Sequence, residues 1–253
     1  MRSIKAIAIN TFREGIRNRI MYNLVFFALC MIAFSYFIGE LSIGEELKVI
    51  QDMGLAAISI FGILIAIFVG IGLVYKEVDK RTIYTIISKP IHRYQFLLGK
   101  FFGLSLMLLV QTVFMTAFMF IFIYITNHIF NPALLKVVLF IYLELVVITS
   151  VAIFFSSFTT PFLSALFCLG FFIIGHSTDD LVELSKRSDS AVVKVGASLF
   201  KFFDLNHFNI KGKIVHGVYV GWDWVGQVVL YAAFLSVVFL ITSFFIFQKR
   251  DFK

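Results

Sequence analysis

The chain of 253 residues is 60% hydrophobic and only 15% charged, with a formal net charge of +7. That apolar share stands well above the roughly 45–50% of soluble domains, which excludes an ordinary soluble protein. The apolar residues gather into runs of about twenty, the length that crosses about 30 Å of hydrocarbon at 1.5 Å per residue. The expectation is an all-α integral membrane protein, one transmembrane domain over residues 1–253 with six spans.

In chain order, Ser3 to Arg19 comes first. Ile4, Ile7, Ala8, Phe12 and Ile16 recur at helical intervals, and Lys5, Arg13, Arg17 and Arg19 make the segment basic. Residues 1–19 therefore read as an interfacial helix with its cations near anionic head groups. Spans follow at about Ile20–Ile38 and Met53–Tyr75. The first resembles a signal peptide after its arginines, but it is too long for such a core and no small-residue cleavage site follows, so it is expected to stay as an anchor.

Lys76 to Lys100 then brings six Lys/Arg into an otherwise oily chain. From Val78 to Ile87 an apolar edge (Val78, Ile83, Tyr84, Ile86, Ile87) opposes Asp79, Lys80 and Arg81, the pattern of a short amphipathic helix. Pro90 disfavours helix at Lys89 and suits the first turn of a new one. A link between spans needs only a few residues, so a structured insert at 76–98 suggests a docking element; a solvated loop whose basic residues only set topology is the alternative.

The third span, about Gly99–Thr126, is long enough to tilt or project. Gly99 and Gly103 at its start, and Gly62, Ala66 and Gly70 on the second span, are rows of small residues suited to close helix packing, within one subunit or between two. Span four, about Leu135–Phe155, carries Glu144 near its middle, where an acid costs about 2.5–3.5 kcal/mol and usually faces the bundle interior. Gln111, at similar depth on span three, is a candidate hydrogen-bond partner. Glu144 reads as polar packing or as part of a transport path.

The tight Ser156 to Pro161 leads to the weakest span, about Thr160–Gly175, with a re-entrant pair as its rival. Beyond it, His176, Asp179 and Asp180 cluster, but Ser177 and Asp180 have the spacing of a capping box, which fits better than a metal set. The loop 176–224 is too polar to span. Val192, Val195, Leu199, Phe202 and Phe203 suggest an amphipathic helix on the outer leaflet, and Trp222 and Trp224 sit where interfacial aromatics belong before span six, about Val225–Phe247. Cys30 and Cys168 fall in apolar runs and read as small buried hydrophobes.

If the N-terminus is cytoplasmic, the inner segments hold 14 Lys/Arg against 4 acids and the outer ones 8 against 10. The bias places both termini and the loop 76–98 inside, in a multi-pass cell (inner) membrane protein. Topology thus explains the +7 without a nucleic-acid partner. Enzyme signatures are missing: the Gly99-Lys100 pair has Tyr94 and Phe101 where a phosphate loop needs Gly and Ser/Thr, and there is no HExxH, CxxC or GxSxG.

TFREGIRNR, RTIYTIISKPIHRYQFLLGK after span two, LELVVITSVAIFFSSFTTPFLSAL, FDLNHFNIKGKIVHG and the closing FQKRDFK, in this order, resemble the permease subunit of a type-two ABC exporter. The nearest group resembles the permease that serves copper-site maturation of nitrous oxide reductase. Arg81 departs from many such exporters, which carry Gly before Thr82. The resemblance implies a coupling helix between spans two and three, with Glu77, Arg81, Thr82, Tyr84, Ile86 and Pro90 docking a separate cytoplasmic ATPase. It also implies a dimer of permeases, no cofactor on this chain, ATP and magnesium used by the partner ATPase, and room for a periplasmic partner. A membrane scaffold that moves nothing and a carrier driven by protons through Glu144 are the rival functions.

Overall fold

The computed structural model describes residues 2–42, 44–79, 93–128, 131–187, 196, 198, 200–215 and 221–249. The described helices are α1 (Arg2–Ile16), α2 (Arg19–Leu41), α3 (Glu46–Asp79), α4 (Arg93–Asn127), α5 (Leu134–Ser156), α6 (Pro161–His176), α7 (Thr178–Arg187), α8 (Lys211–Val215) and α9 (Trp222–Lys249), with a 3₁₀ turn at Asn206–Phe208. No strand occurs among the described residues. The protein is an all-α integral membrane protein.

Burial sorts the long helices into a centre and a rim. In their most apolar stretches α3 and α5 are 72% and 67% buried, against 22% for α2 and 28% for α9. α2 leans on α3, whereas α9 leans on α5 and, less, on α4. On the rim, α2 turns Phe26, Phe27, Phe34 and Phe37 outward, as an apolar solvent permits. This placement corrects one expectation: Cys168 is buried, but Cys30 is exposed because α2 is peripheral.

α2, α3, α4, α5 and α9 are each long and apolar enough to cross a membrane. The expected fifth span differs from a straight crossing. Thr160 is extended and Pro161 takes the first turn of α6, where its missing N–H is not needed. However, the 16 residues of α6 rise only about 24 Å, short of the hydrocarbon thickness. At its end the chain bends by 64° into the polar α7.

α1 is seated more deeply than its amphipathic pattern suggests. It packs along the first half of α4, with Thr11 and Gly15 buried. The glycines of α4 make this possible: a Cβ on Gly103 would stand 2.5 Å from the Ala8 carbonyl oxygen, and one on Gly99 2.7 Å from Ile7. After α1, Asn18 Oδ1 accepts the Ile20 N–H at 2.9 Å and so starts α2.

Candidate functional site

The end of the bundle where α3 stops and α4 starts is the basic end; the opposite end carries α7 and α8. Glu77 lies in the last turns of α3. Arg81, Thr82, Tyr84, Ile86 and Pro90 lie outside the described residues, as do Val192, Val195 and Leu199 of the expected amphipathic segment. α3 has 34 residues and α4 35, about 50 Å each, so both outrun a bilayer and lead straight to the segment 80–92.

The small-residue row on α3 points the other way, into the bundle. A Cβ on Gly62 would stand 2.9 Å from Leu145, Ala66 is buried, and Gly70 faces Ala152 and Leu104. α3 therefore rests directly on the stretch of α5 that carries Glu144. Gly99 and Gly103 face α1 of the same chain.

Glu144 is 1% exposed, about 15 Å from either end of its helix. Its neighbours come from the far end. His176, on the last turn of α6, brings Nε2 within 3.3 Å of Glu144 Oε1, at ion-pair distance but without hydrogen-bond geometry. The other ring nitrogen, Nδ1, is 3.3 Å from the Phe172 carbonyl oxygen, which can only accept. With Nδ1 carrying a proton, Nε2 carries one only when the imidazole is charged, so an ion pair with Glu144 requires the protonated histidine.

Lys211 supplies the third charge. It opens the short helix α8, which packs against α3 and α5, and its ammonium interacts electrostatically with Glu144. Burial holds that ammonium below the ordinary lysine value, and Glu144 opposes part of the shift.

The segment that delivers Lys211 is fastened at several points. The Leu205 N–H donates to the Gly175 carbonyl at 3.0 Å, and a Cβ on Gly175 would stand 2.6 Å from the Leu205 side chain. Glycine at 175 is thus what lets the returning chain close on α6. Asp204 accepts the Asn206 N–H at 2.9 Å and lies 3.1 Å from His207 Nδ1, while Asn206 Nδ2 donates to Asp179 at 3.0 Å. Tyr231 of α9 donates to the Phe202 carbonyl at 3.0 Å, and Leu205, Phe208, Ile210 and Ile214 bury their side chains beneath. The described part of this returned segment thus packs on α5, α6 and α9 at the far end of the bundle.

Two expectations change here. Gln111 is buried but does not meet Glu144; its Nε2 donates to Met115 Sδ at 3.5 Å, and it lines a cavity beside Met21 and Val25. Equal depth did not imply equal rotation. Ser105, whose carbonyl accepts from Tyr142, marks the α5 side of α4, and six residues later at about 100° each Gln111 has turned away toward α2. Near His176, α7 does begin at Thr178, but the Thr178 hydroxyl donates back to the Gly175 carbonyl and Asp179 serves Asn206. No group of three metal-ligating side chains occurs among the described residues.

The reading missed His176 and Lys211 as partners of Glu144. A lone acid inside a span does signal that partners exist, but both were assigned to a polar outer loop. Residues 5–176 match the family model described as ABC-2 family transporter protein. No curated protein matches the chain.

Proposed function

Given that the chain belongs to the ABC-2 family of transporter proteins, which are membrane components of transport, we propose that it is the permease of an ATP-driven exporter whose ATPase is a separate subunit. The observation that carries this reading is the family match over residues 5–176, which includes the insert between α3 and α4. Glu77, Arg81, Thr82, Tyr84, Ile86 and Pro90 form the docking and relay element for that ATPase. Its ATP and magnesium stay on the partner. The bias of Lys and Arg puts the basic end, with both termini, on the cytoplasmic side of the cell membrane.

The geometry supplies a route from dock to centre. α3 and α4 run without a break from the insert into the bundle core, so displacement at their ends is carried by stiff helices rather than absorbed in a loop. α3 meets α5 through Gly62 and Leu145, one residue from Glu144. ATP-driven closure at the basic end then acts on the Glu144, His176 and Lys211 cluster and on the segment packed at the far end. A pair of permeases with two ATPases is the assembly that fits, and the group serving copper-site maturation remains the subgroup we favour.

Purification of the tagged chain in mild detergent, with identification of associated proteins by mass spectrometry, tests this. An ABC-type ATPase should accompany the wild type and be lost from Ile86→Asp while the bundle remains folded. A second reading, proton-coupled transport, is favoured by the contact between Glu144 and His176. Glu144→Gln separates the two: transport that keeps its ATP dependence supports the ATPase reading, and loss of a proton-driven flux supports the other.

A further inference from the structure

The basic end holds a cavity of about 680 Å³ that coupling to an ATPase does not explain. It lies between α1, the start of α2 and α3, and its size is that of a small-molecule pocket. The wall toward the membrane is apolar, with Ile20 47% and Phe68 43% exposed. The opposite wall is polar and comes from α1 and the turn after it: Asn10, Arg13, Arg17 and Asn18.

Arg13 and Arg17 are four residues apart on one face, both exposed, and neither guanidinium has an ion-pair partner among the described residues. Glu14 also lines the cavity, so the local balance is two cations against one acid. Asn18 spends its Oδ1 on the Ile20 N–H, which leaves its amide N–H groups as donors on the same wall. On the far side Gly72 has nothing within 4 Å of where a Cβ would stand, so the space beside the arginines is open down to the α3 backbone.

We propose that this cavity binds the phosphate of an anionic membrane phospholipid, with Arg13 and Arg17 on the phosphate and the acyl chains passing Ile20 and Phe68 into the bilayer. Paired guanidiniums match phosphate oxygens in geometry as well as charge. The amphiphilic lining is what selects a lipid: a free anion satisfies the arginines and leaves the apolar wall uncovered. A lipid held here bridges α1 to α3 and so steadies the helix that leads to the insert.

Native mass spectrometry of the full chain in detergent, with equimolar phosphatidylglycerol and phosphatidylcholine, reads the site directly. The wild type should retain phosphatidylglycerol in preference, and each arginine neutralised should weaken retention about fivefold, about thirtyfold for Arg13→Gln with Arg17→Gln. Gly72→Leu keeps both charges but fills the cavity and should also release the lipid, while Arg19→Gln, outside the lining, should change retention less than about twofold. Equal retention of the two lipids, or unchanged retention in both the arginine and the Gly72→Leu variants, overturns the proposal. So does displacement of the bound lipid by millimolar inorganic phosphate, which would assign the arginines to a free anion.

Discussion

The two ends of the bundle treat charge in opposite ways. At the basic end Arg13 and Arg17 are exposed and have no ion-pair partner among the described residues; deep under the far end Glu144 is enclosed and faces a histidine and a lysine delivered by two other segments. Exposed cations at a membrane boundary cost little and remain open to a ligand. An enclosed acid must be answered by the protein itself, and it is expensive if the answer is removed. The difference separates cations left open to solvent from an acid answered within the bundle.

The largest effect should come from emptying the enclosed cluster on one side only. Glu144→Leu leaves Lys211 and His176 without their acid and should lower stability by about 3 kcal/mol, measured by thermal unfolding in detergent; adding Lys211→Met should recover most of the loss. If the double variant is no better than the single one, Lys211 and Glu144 are not coupled.

Next come the close approaches that hold the two ends. Gly103→Ala sets a methyl group against the Ala8 carbonyl and should cost about 1–3 kcal/mol, loosening α1 from α4. Gly175→Ala meets a side chain, Leu205, which can shift, and should cost less. Protease accessibility of α1 in the first variant and of residues 200–215 in the second reads which end has opened.

A smaller effect is expected with pH. The Lys211 ammonium in the folded protein ionises below the 10.5 of the free side chain. Between those two values the unfolded chain binds a proton that the folded chain has lost, so Lys211 makes stability rise with pH across that window. Lys211→Met should remove that alkaline rise. Smallest of all, Arg19→Gln at the basic end should leave the unfolding temperature unchanged, as an exposed charge without a buried contact requires.

The sequence made five spans legible because each is a run of apolar residues long enough to cross hydrocarbon, and Pro161 marked the start of the shorter α6 correctly. Glu144 stood out for the same reason, as a costly residue in a lipid-like setting. Its partners did not. His176 sits at the end of a helix only 16 residues long, and Lys211 is carried back by a segment whose polar composition reads as surface. Periodicity gives the face of one helix; it does not tell which loop returns to cover it. Gln111 fails for a related reason, since depth is readable from sequence position and rotation relative to a neighbour is not. Likewise the glycines of α4 announced close packing, but not that α1 would be the helix they admit.

The most direct test of coupling through the basic end is photocrosslinking in intact membranes, with a photoreactive residue replacing Ile86 and, as the far-end control, Leu184. Capture of an ABC-type ATPase from position 86 but not from 184, with a yield that changes when ATP and magnesium are added, is the result we expect. No ATPase captured at position 86, or equal capture from both ends, would contradict it.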